Sequence, residues 1–449
     1  MISLDTMTDE EILRALLGKL SQGHQERRRL EAYYEGAPRL KAMGLSLPPE
    51  MQALSLVVNW SGQYVDALEE RLDVDGFRLA GASQTDETLW DWWQTNNLDE
   101  ESGLGHLEAM VTGRSVVTVG SSEDDGAPPV IRVEPSGAME LAVDPKTRET
   151  LAAVRDYSRD GRTDRKATLY LPDRTVHYEQ VKGQWNVLET DEHSLGVVAA
   201  VQLTNRARLG ARCGVTEMRD VMGLTDAACR SLTNLQGAQE LLAVPQRVVL
   251  GATEADFQDQ DGNRVPAWEA YLGRFLALGD KDAKVTQFNA ADLRNFTEVI
   301  NQYARLVSSV TGLPPHYLGF TSDNPASADA IRSSEARLIK RAERRARSFG
   351  GSWEQVMRLA MLIDGRDPGA AVRLETVWRD PSTPTLAARA DAVVKLYQAG
   401  ILPLEAAWEQ MGYTPEYRRH LRQLSSNDPA ARFLEATNGG TQPAPGAAP

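Results

Sequence analysis

An α+β fold is predicted by two observations on this 449-residue chain. Long stretches carry apolar residues three and four apart, as amphipathic helices do, whereas 115–203 breaks into short apolar runs divided by turn dipeptides. At 42% hydrophobic the chain has the material for a large core, and its length suggests two to four domains or one elaborate domain. No stretch approaches the roughly 20 apolar residues of a bilayer span, and residues 1–22 lack a basic start followed by an apolar run. A protein without a membrane segment or secretory signal is expected.

Taken in order, Thr8 with Glu11 three residues later is a capping-box signature, and one or two helices should follow until Gly36 and Pro38 stop them. Helix resumes near Thr85, with Leu89, Trp90 and Trp93 on one face, and 98–111 continues to Gly113, a C-cap candidate. The segment 115–203 reads as antiparallel β, with turns at Asp125-Gly126, Asp144-Pro145, Asp160-Gly161, Pro172-Asp173 and Lys182-Gly183. Within it, Val176 and Tyr178 alternate with His177 and Glu179, the pattern of a half-buried strand.

A helix of about 40 Å is predicted over 216–243, stopping before Pro245. Strands follow at 246–250 and 274–278, with a turn between them at 259–263. A second long helix opens at Asn289, carries Leu293, Phe296, Ile300, Tyr303, Val307 and Val310 on one stripe, and closes at Gly312 and Pro314. A third spans 326–363, and its adjacent Gly350 and Gly351 suggest a break or kink. One strand at 371–378 and helices at 384–399, 403–411 and 415–424 complete the order, before a Gly-, Ala- and Pro-rich tail at 437–449 that should be disordered.

Catalytic grammar is missing. There is no phosphate-binding glycine loop, no His-Glu-x-x-His, no nucleophile elbow and no dinucleotide fingerprint. The run Asp259-Gln260-Asp261-Gly262-Asn263 imitates a calcium loop, but Phe257 and Trp268 stand where carboxylates belong, so it reads as a solvated turn. Cys213 and Cys229 are too few for a disulfide framework and fit no metal spacing, which points to a reducing compartment. Neither metal nor cofactor is expected.

The net charge of −14 argues against a protein that wraps nucleic acid over its outer surface. Against that background the third long helix is unusual, with Arg332, Arg337, Lys340, Arg341, Arg344, Arg345 and Arg347 opposed only by Glu335 and Glu343. Such asymmetry asks for a partner, either phosphate or carboxylates on a neighbouring subunit.

This order of parts resembles the portal protein family of long-tailed (siphovirus-type) bacteriophages. The segments that carry the resemblance are Gln239-Glu240-Leu241-Leu242-Ala243-Val244-Pro245-Gln246-Arg247, Thr311-Gly312-Leu313-Pro314-Pro315-His316-Tyr317-Leu318-Gly319 and Asn324-Pro325-Ala326-Ser327-Ala328-Asp329-Ala330-Ile331. The resemblance implies a ring, typically of twelve subunits, at one capsid vertex of the virion, made in the host cytoplasm and conducting double-stranded DNA. The implied partners are the terminase large subunit, a head-tail adaptor, and the major capsid and scaffolding proteins, with no membrane involved.

By order of parts the resemblance implies a wing at 1–214, stem helices at 215–244 and 285–312, and a clip at 245–284 between them. A tunnel loop at 313–326, a kinked helix with a returning wing strand at 327–382, a crown at 383–433 and a disordered tail at 434–449 follow. Channel-lining residues would be Gly319, Phe320, Thr321, Ser322, Asp323, Asn324 and Pro325, and motor or adaptor docking would fall to Arg247, Asp256, Asp259, Asp261, Arg264 and Arg274. Two other readings remain open at this point: a different head-tail structural protein, which would lack stem and clip, or a DNA-acting enzyme, which would need clustered carboxylates on strands.

Overall fold

Thr8 opens the first helix as predicted: its hydroxyl accepts from the Glu11 N–H at 3.4 Å, and the Glu11 carboxylate accepts from the Thr8 N–H at 2.8 Å. The computed structural model describes residues 7–37, 56–79, 81–82, 85–124, 126–159, 165–210, 212–242, 247–250, 284–287, 293–319, 328–382 and 386–427. Helices α1 (Asp9–Gln22) and α2 (His24–Tyr34) are followed by α3 (Trp60–Glu69), strand β1 (Val74–Leu79), α4 (Glu87–Thr95) and α5 (Leu98–Thr112). Gly113 caps α5 at a φ of +104°, a conformation that favours glycine. Neither α3 nor β1 was expected from the sequence.

The β segment forms two antiparallel sheets. Strands β4 (Met139–Val143), β5 (Thr150–Asp156), β6 (Lys166–Tyr170), β7 (Arg174–Val181) and β8 (Gln184–Glu192) make a five-stranded meander in sequence order. Strands β3 (Val130–Glu134) and β9 (Ala200–Thr204) flank β2 (Arg114–Gly120) in a three-stranded sheet. Alternation along each strand stacks these sheets into layers. Ala152 and Val154 face α1, meeting Leu13 and Leu16, while Ala153 between them faces Val116 and Ala200 of the smaller sheet. Val117, Val201 and Leu203, on the opposite face of that sheet, enter the main core with the helices.

That core is aromatic. Trp93 lies 5.4 Å from Phe77 and 4.9 Å from Trp353 between ring centroids, and His106 stacks on Phe349 at 4.9 Å. Trp353 Nε1–H donates to His106 Nε2 at 2.8 Å, so the imidazole is held neutral, and full burial drives its pKa down to about 3. Unfolding frees a histidine that titrates near 6.5, so this contribution is complete above that pH. It declines on acidification by about 1.4 kcal/mol per pH unit. Between pH 6.5 and pH 5 the loss should be about 2 kcal/mol. Denaturant unfolding of the wild type and His106→Gln at pH 7 and pH 5 checks this; equal losses in both would assign the effect to other groups.

The C-terminal half supplies the helices of this core. A 3-10 turn (Glu217–Asp220) precedes α6 (Met222–Leu242), where a single helix from 216 was expected. Strand β10 (Arg247–Leu250) pairs with β11 (Lys284–Gln287); the strand expected at 274–278 and the turn at 259–263 lie outside the described residues. Helix α7 (Arg294–Thr311) packs beside α6 and buries Val307 of the predicted stripe together with Ala304 and Thr311, the other stripe residues being half-buried, and Gly312 caps it at a φ of +80°. A 3-10 turn (Pro315–Leu318) follows.

Helix α8 (Ala328–Ile363) corrects the expectation of a break. Its 36 residues run as one helix through Gly350 and Gly351. The glycine serves close packing instead: a Cβ on Gly350 would sit 3.0 Å from Trp378 Nε1, and its carbonyl accepts from Thr376 Oγ1 at 3.0 Å. Those partners belong to β12 (Leu374–Trp378), which pairs antiparallel with β1. Helices α9 (Leu386–Gln398), α10 (Leu404–Gln410) and α11 (Pro415–Asn427) end the described chain. They dock on α4 and β1 through polar contacts: Arg78 to Glu409, Arg419 to Asp91 at 2.9 Å, Arg422 to Glu87 at 2.9 Å, Arg418 to Thr85 Oγ1 at 3.4 Å, and Trp90 to Glu416, while Arg418 also braces Glu409 from within these helices. The predicted tail lies outside the described residues.

Candidate functional site

The basic run of α8 splits into two populations. Arg341 and Arg345 turn inward, where Arg345 meets Glu217 with Nε at 2.9 Å and Nη2 at 3.2 Å, and Arg341 donates to Tyr64 Oη and Val310 O, each at 2.5 Å. Glu217 has no solvent exposure and also accepts from Tyr64 at 2.8 Å and Asn205 Nδ2 at 3.2 Å. Burial opposes its ionisation, but Arg345, with help from Arg206 and Tyr64, outweighs that and holds the carboxyl below its usual range. Burial beside this carboxylate pushes the Tyr64 phenol up. One carboxylate therefore ties together α3, the end of β9, the entry to α6 and helix α8.

The second population stays outside. Arg337 donates to Ser309 O at 2.5 Å and lies over Gly312, and Lys340 pairs with Glu343. Arg344 and Arg347 are exposed and have no ion-pair partner among the described residues. The side chain of Arg332 lies outside the described set. Sequence reading missed two contributors to this face: Arg206 and Arg208, on the loop after β9, line the same concavity as Arg337, Lys340, Arg341, Arg344 and Arg345. Arg206 is tied to Asp220 at 2.8 Å, whereas Arg208 is free among the described residues. The signal was present in the Arg206-x-Arg208 spacing of a Gly-containing joint.

The proposed channel-lining loop is described only at Gly319, whose φ is +85°. Residues Phe320, Thr321, Ser322, Asp323, Asn324 and Pro325 lie outside the described residues. The chain just before them is anchored: Gln63 Nε2 donates to Tyr317 O at 2.6 Å, Arg71 Nη2 to Tyr317 Oη at 3.1 Å, and Tyr317 Oη to Glu335 of α8 at 3.3 Å. Of the docking residues read from the sequence, Arg247 contributes backbone to β10. Asp256, Asp259, Asp261, Arg264 and Arg274 lie outside the described residues. Among the described residues no cluster of His, Cys, Asp and Glu could hold a metal ion, and no helix is long and apolar enough to cross a membrane.

A family model described as phage portal protein, SPP1 Gp6-like, matches residues 17–417. The chain is 41% identical over 439 residues to the portal protein of Mycobacterium phage D29, covering 95% of this chain and 90% of that protein. It is 42% identical over 411 residues to the portal protein of Mycobacterium phage L5, covering 89% and 85%. Among solved structures it is similar to a chain from the virion of a native gene transfer agent particle, with a TM-score of 0.42 at 13% identity over 85% of this chain and 99% of that one. A chain from the neck of such a particle, computed with C12 symmetry, gives 0.40 at 14% identity over 84% and 99%.

Proposed function

Because the chain belongs to the SPP1 Gp6-like phage portal family, a structural rather than an enzymatic one, we propose that it is the ring-forming subunit at one capsid vertex, the channel for genome packaging and ejection. The family match over 17–417 carries this reading. Twelve copies form the ring, and double-stranded DNA passes through it.

The arrangement of elements supports the division into parts. Helices α6 and α7 lie side by side and are continued by the β10–β11 ribbon, which suits a stem at 215–244 and 285–312 bearing a clip at 245–284. A ribbon of two short strands is marginal alone and gains stability from pairing with a neighbour's edge. The clip receives the terminase large subunit during packaging and a head-tail adaptor afterwards. The layered sheets with the β1–β12 pair form the wing, 1–214 with the returning strand, in contact with the major capsid and scaffolding proteins. Helices α9 to α11 form the crown. The loop 319–325 lines the channel, where Asp323 repels phosphate and so lets DNA pass without settling.

Negative-stain images of the purified full chain test the proposal. Rings with a central hole and a protruding stem are expected; a population of monomers alone, or rings lacking a stem, would overturn it.

A further inference from the structure

We propose that adjacent copies of this chain meet through one specific contact, in which the loop after β9 of one copy seats in an acidic concavity of the next. Leu209 and Arg208 form the plug; Leu104 and Val133 floor the socket, and Glu31 and Glu101 rim it. The inference rests on the ring reading and adds to it the residues by which copies recognise each other.

The plug is chemically incomplete as it stands. Leu209 is 87% exposed beside the uncompensated Arg208, an apolar side chain held out on a cationic loop. The socket is its complement. It lies between α2, α5 and β3, where Leu104 is 53% exposed, and Leu107, Val111 and Val133 continue the apolar lining. Five carboxylates line it and no cation does. Two of them are engaged internally, Glu134 with Arg155 at 2.6 Å and Glu108 with the Ser136 N–H at 3.0 Å. Glu31, Glu35 and Glu101 have no ion-pair partner among the described residues. An apolar floor with a free anionic rim fits an apolar knob carrying a cation.

Position favours a second copy as the occupant. Closing a ring requires two different patches on each subunit, placed on opposite flanks. In the three-stranded sheet β3 and β9 are the two outer strands. The socket borders β3 and the plug follows β9. Because β2 pairs antiparallel with both, Glu134 and Thr204 end their strands at the same end of the sheet, facing Val116 and Arg114. Helix α8 lies along the β9 flank, its Ser348 and Ser352 hydroxyls donating to Thr204 O and Gln202 O at 3.0 Å each, so its outward cations belong to the plug side. DNA is the weaker occupant for this face, since a leucine projecting into solvent makes no contact with phosphate.

Cysteine pairing tests the contact. Cys213 is exposed and Cys229 buried, so Cys213→Ser gives the background. Full-length protein carrying both Leu209→Cys and Leu104→Cys, oxidised with copper-phenanthroline, should give a ladder of covalent oligomers on non-reducing gels, and each single variant, which faces a leucine across the contact, should remain monomeric. In parallel, Arg208→Glu with Leu209→Asp should cut the ring fraction at least tenfold in mass photometry at 0.15 M salt, with an unchanged circular dichroism spectrum. Adding Glu101→Arg should restore part of it. Wild-type rings together with no ladder and undiminished rings in the charge-reversed variant would overturn the contact while leaving the ring reading intact. Absence of rings in the wild type would instead overturn that reading. Intact rings whose DNA packaging becomes salt-sensitive on Arg208→Glu would assign the loop to phosphate.

Discussion

Replacing Glu217 with Ala is expected to lower the unfolding free energy by about 3–5 kcal/mol, the scale on which breaking one side of a buried ion pair destabilises a protein. The carboxylate has no solvent exposure, and its loss strands Arg345, leaves the Tyr64 hydroxyl without its acceptor and removes the counter-charge 3.9 Å from Arg341, while Asn205 Nδ2 keeps Val215 O at 2.9 Å. Glu217→Gln keeps an oxygen for Tyr64 and Asn205 but not the charge, so its effect should be smaller. Glu217→Leu combined with Arg345→Met should recover much of the loss, because well-packed apolar replacements of buried pairs are often neutral or stabilising. Since its pKa is held below the usual range, the stabilisation from Glu217 is present above the unfolded-state pKa of about 4.3 and disappears as pH falls through the folded-state value. Denaturant titrations of the four proteins at neutral pH decide the matter; a loss under 1 kcal/mol for Glu217→Ala would remove the hub from the account.

In the channel the largest effect is expected from Asp323→Lys, which on the proposed assignment turns a repulsive ring into a ring of phosphate contacts. Packaging should slow or stall, and more severely at 0.01 M than at 0.1 M salt, because the Debye length falls from about 30 Å to about 10 Å between them. Asp323→Asn removes repulsion without adding attraction and should be mild. Particles carrying each variant, compared for packaged DNA at both salt concentrations, give the answer. Equal packaging by the two would take the loop off the DNA path and turn attention to Arg344 and Arg347, exposed on α8.

What was legible in the sequence was local. A capping box at Thr8, glycines that favour positive φ at Gly113 and Gly312, and the turn dipeptides Asp144-Pro145, Pro172-Asp173 and Lys182-Gly183 all act within a few residues of themselves, and each appears where its chemistry put it, while Asp160-Gly161 and Asp125 lie outside the described residues. What escaped depends on distant partners. Strand β1 contains Gly76 at a φ of +146° beside a register shift, and it exists because β12 pairs with it from some 300 residues away. Gly350 and Gly351 were read as a break or kink because glycine loosens an isolated helix. In the fold the helix runs on through both, and the missing Cβ of Gly350 admits Trp378 and Thr376 against it. The basic stripe of α8 misled in the same way: Arg341 and Arg345 look like surface charges until the 3-10 turn at Glu217 is brought against them.

The seam that joins the last three helices to α4 and β1 has a consequence for heat. Arg419, Arg422 and Arg78 hold it by ion pairs and Arg418 by a hydrogen bond to Thr85, while Val393, Ala407 and Pro415 are the buried apolar side chains among the described residues of those helices. Parting such a seam exposes little apolar surface, so it adds little to the heat capacity of unfolding, whose main source is hydration of apolar groups. The aromatic core around Trp93, Phe77 and Trp353 behaves oppositely, with a strongly curved stability profile. Warming also eases the desolvation cost of ion pairs. The C-terminal helices are thus fastened by a joint whose grip varies weakly with temperature, on a body whose own stability varies strongly.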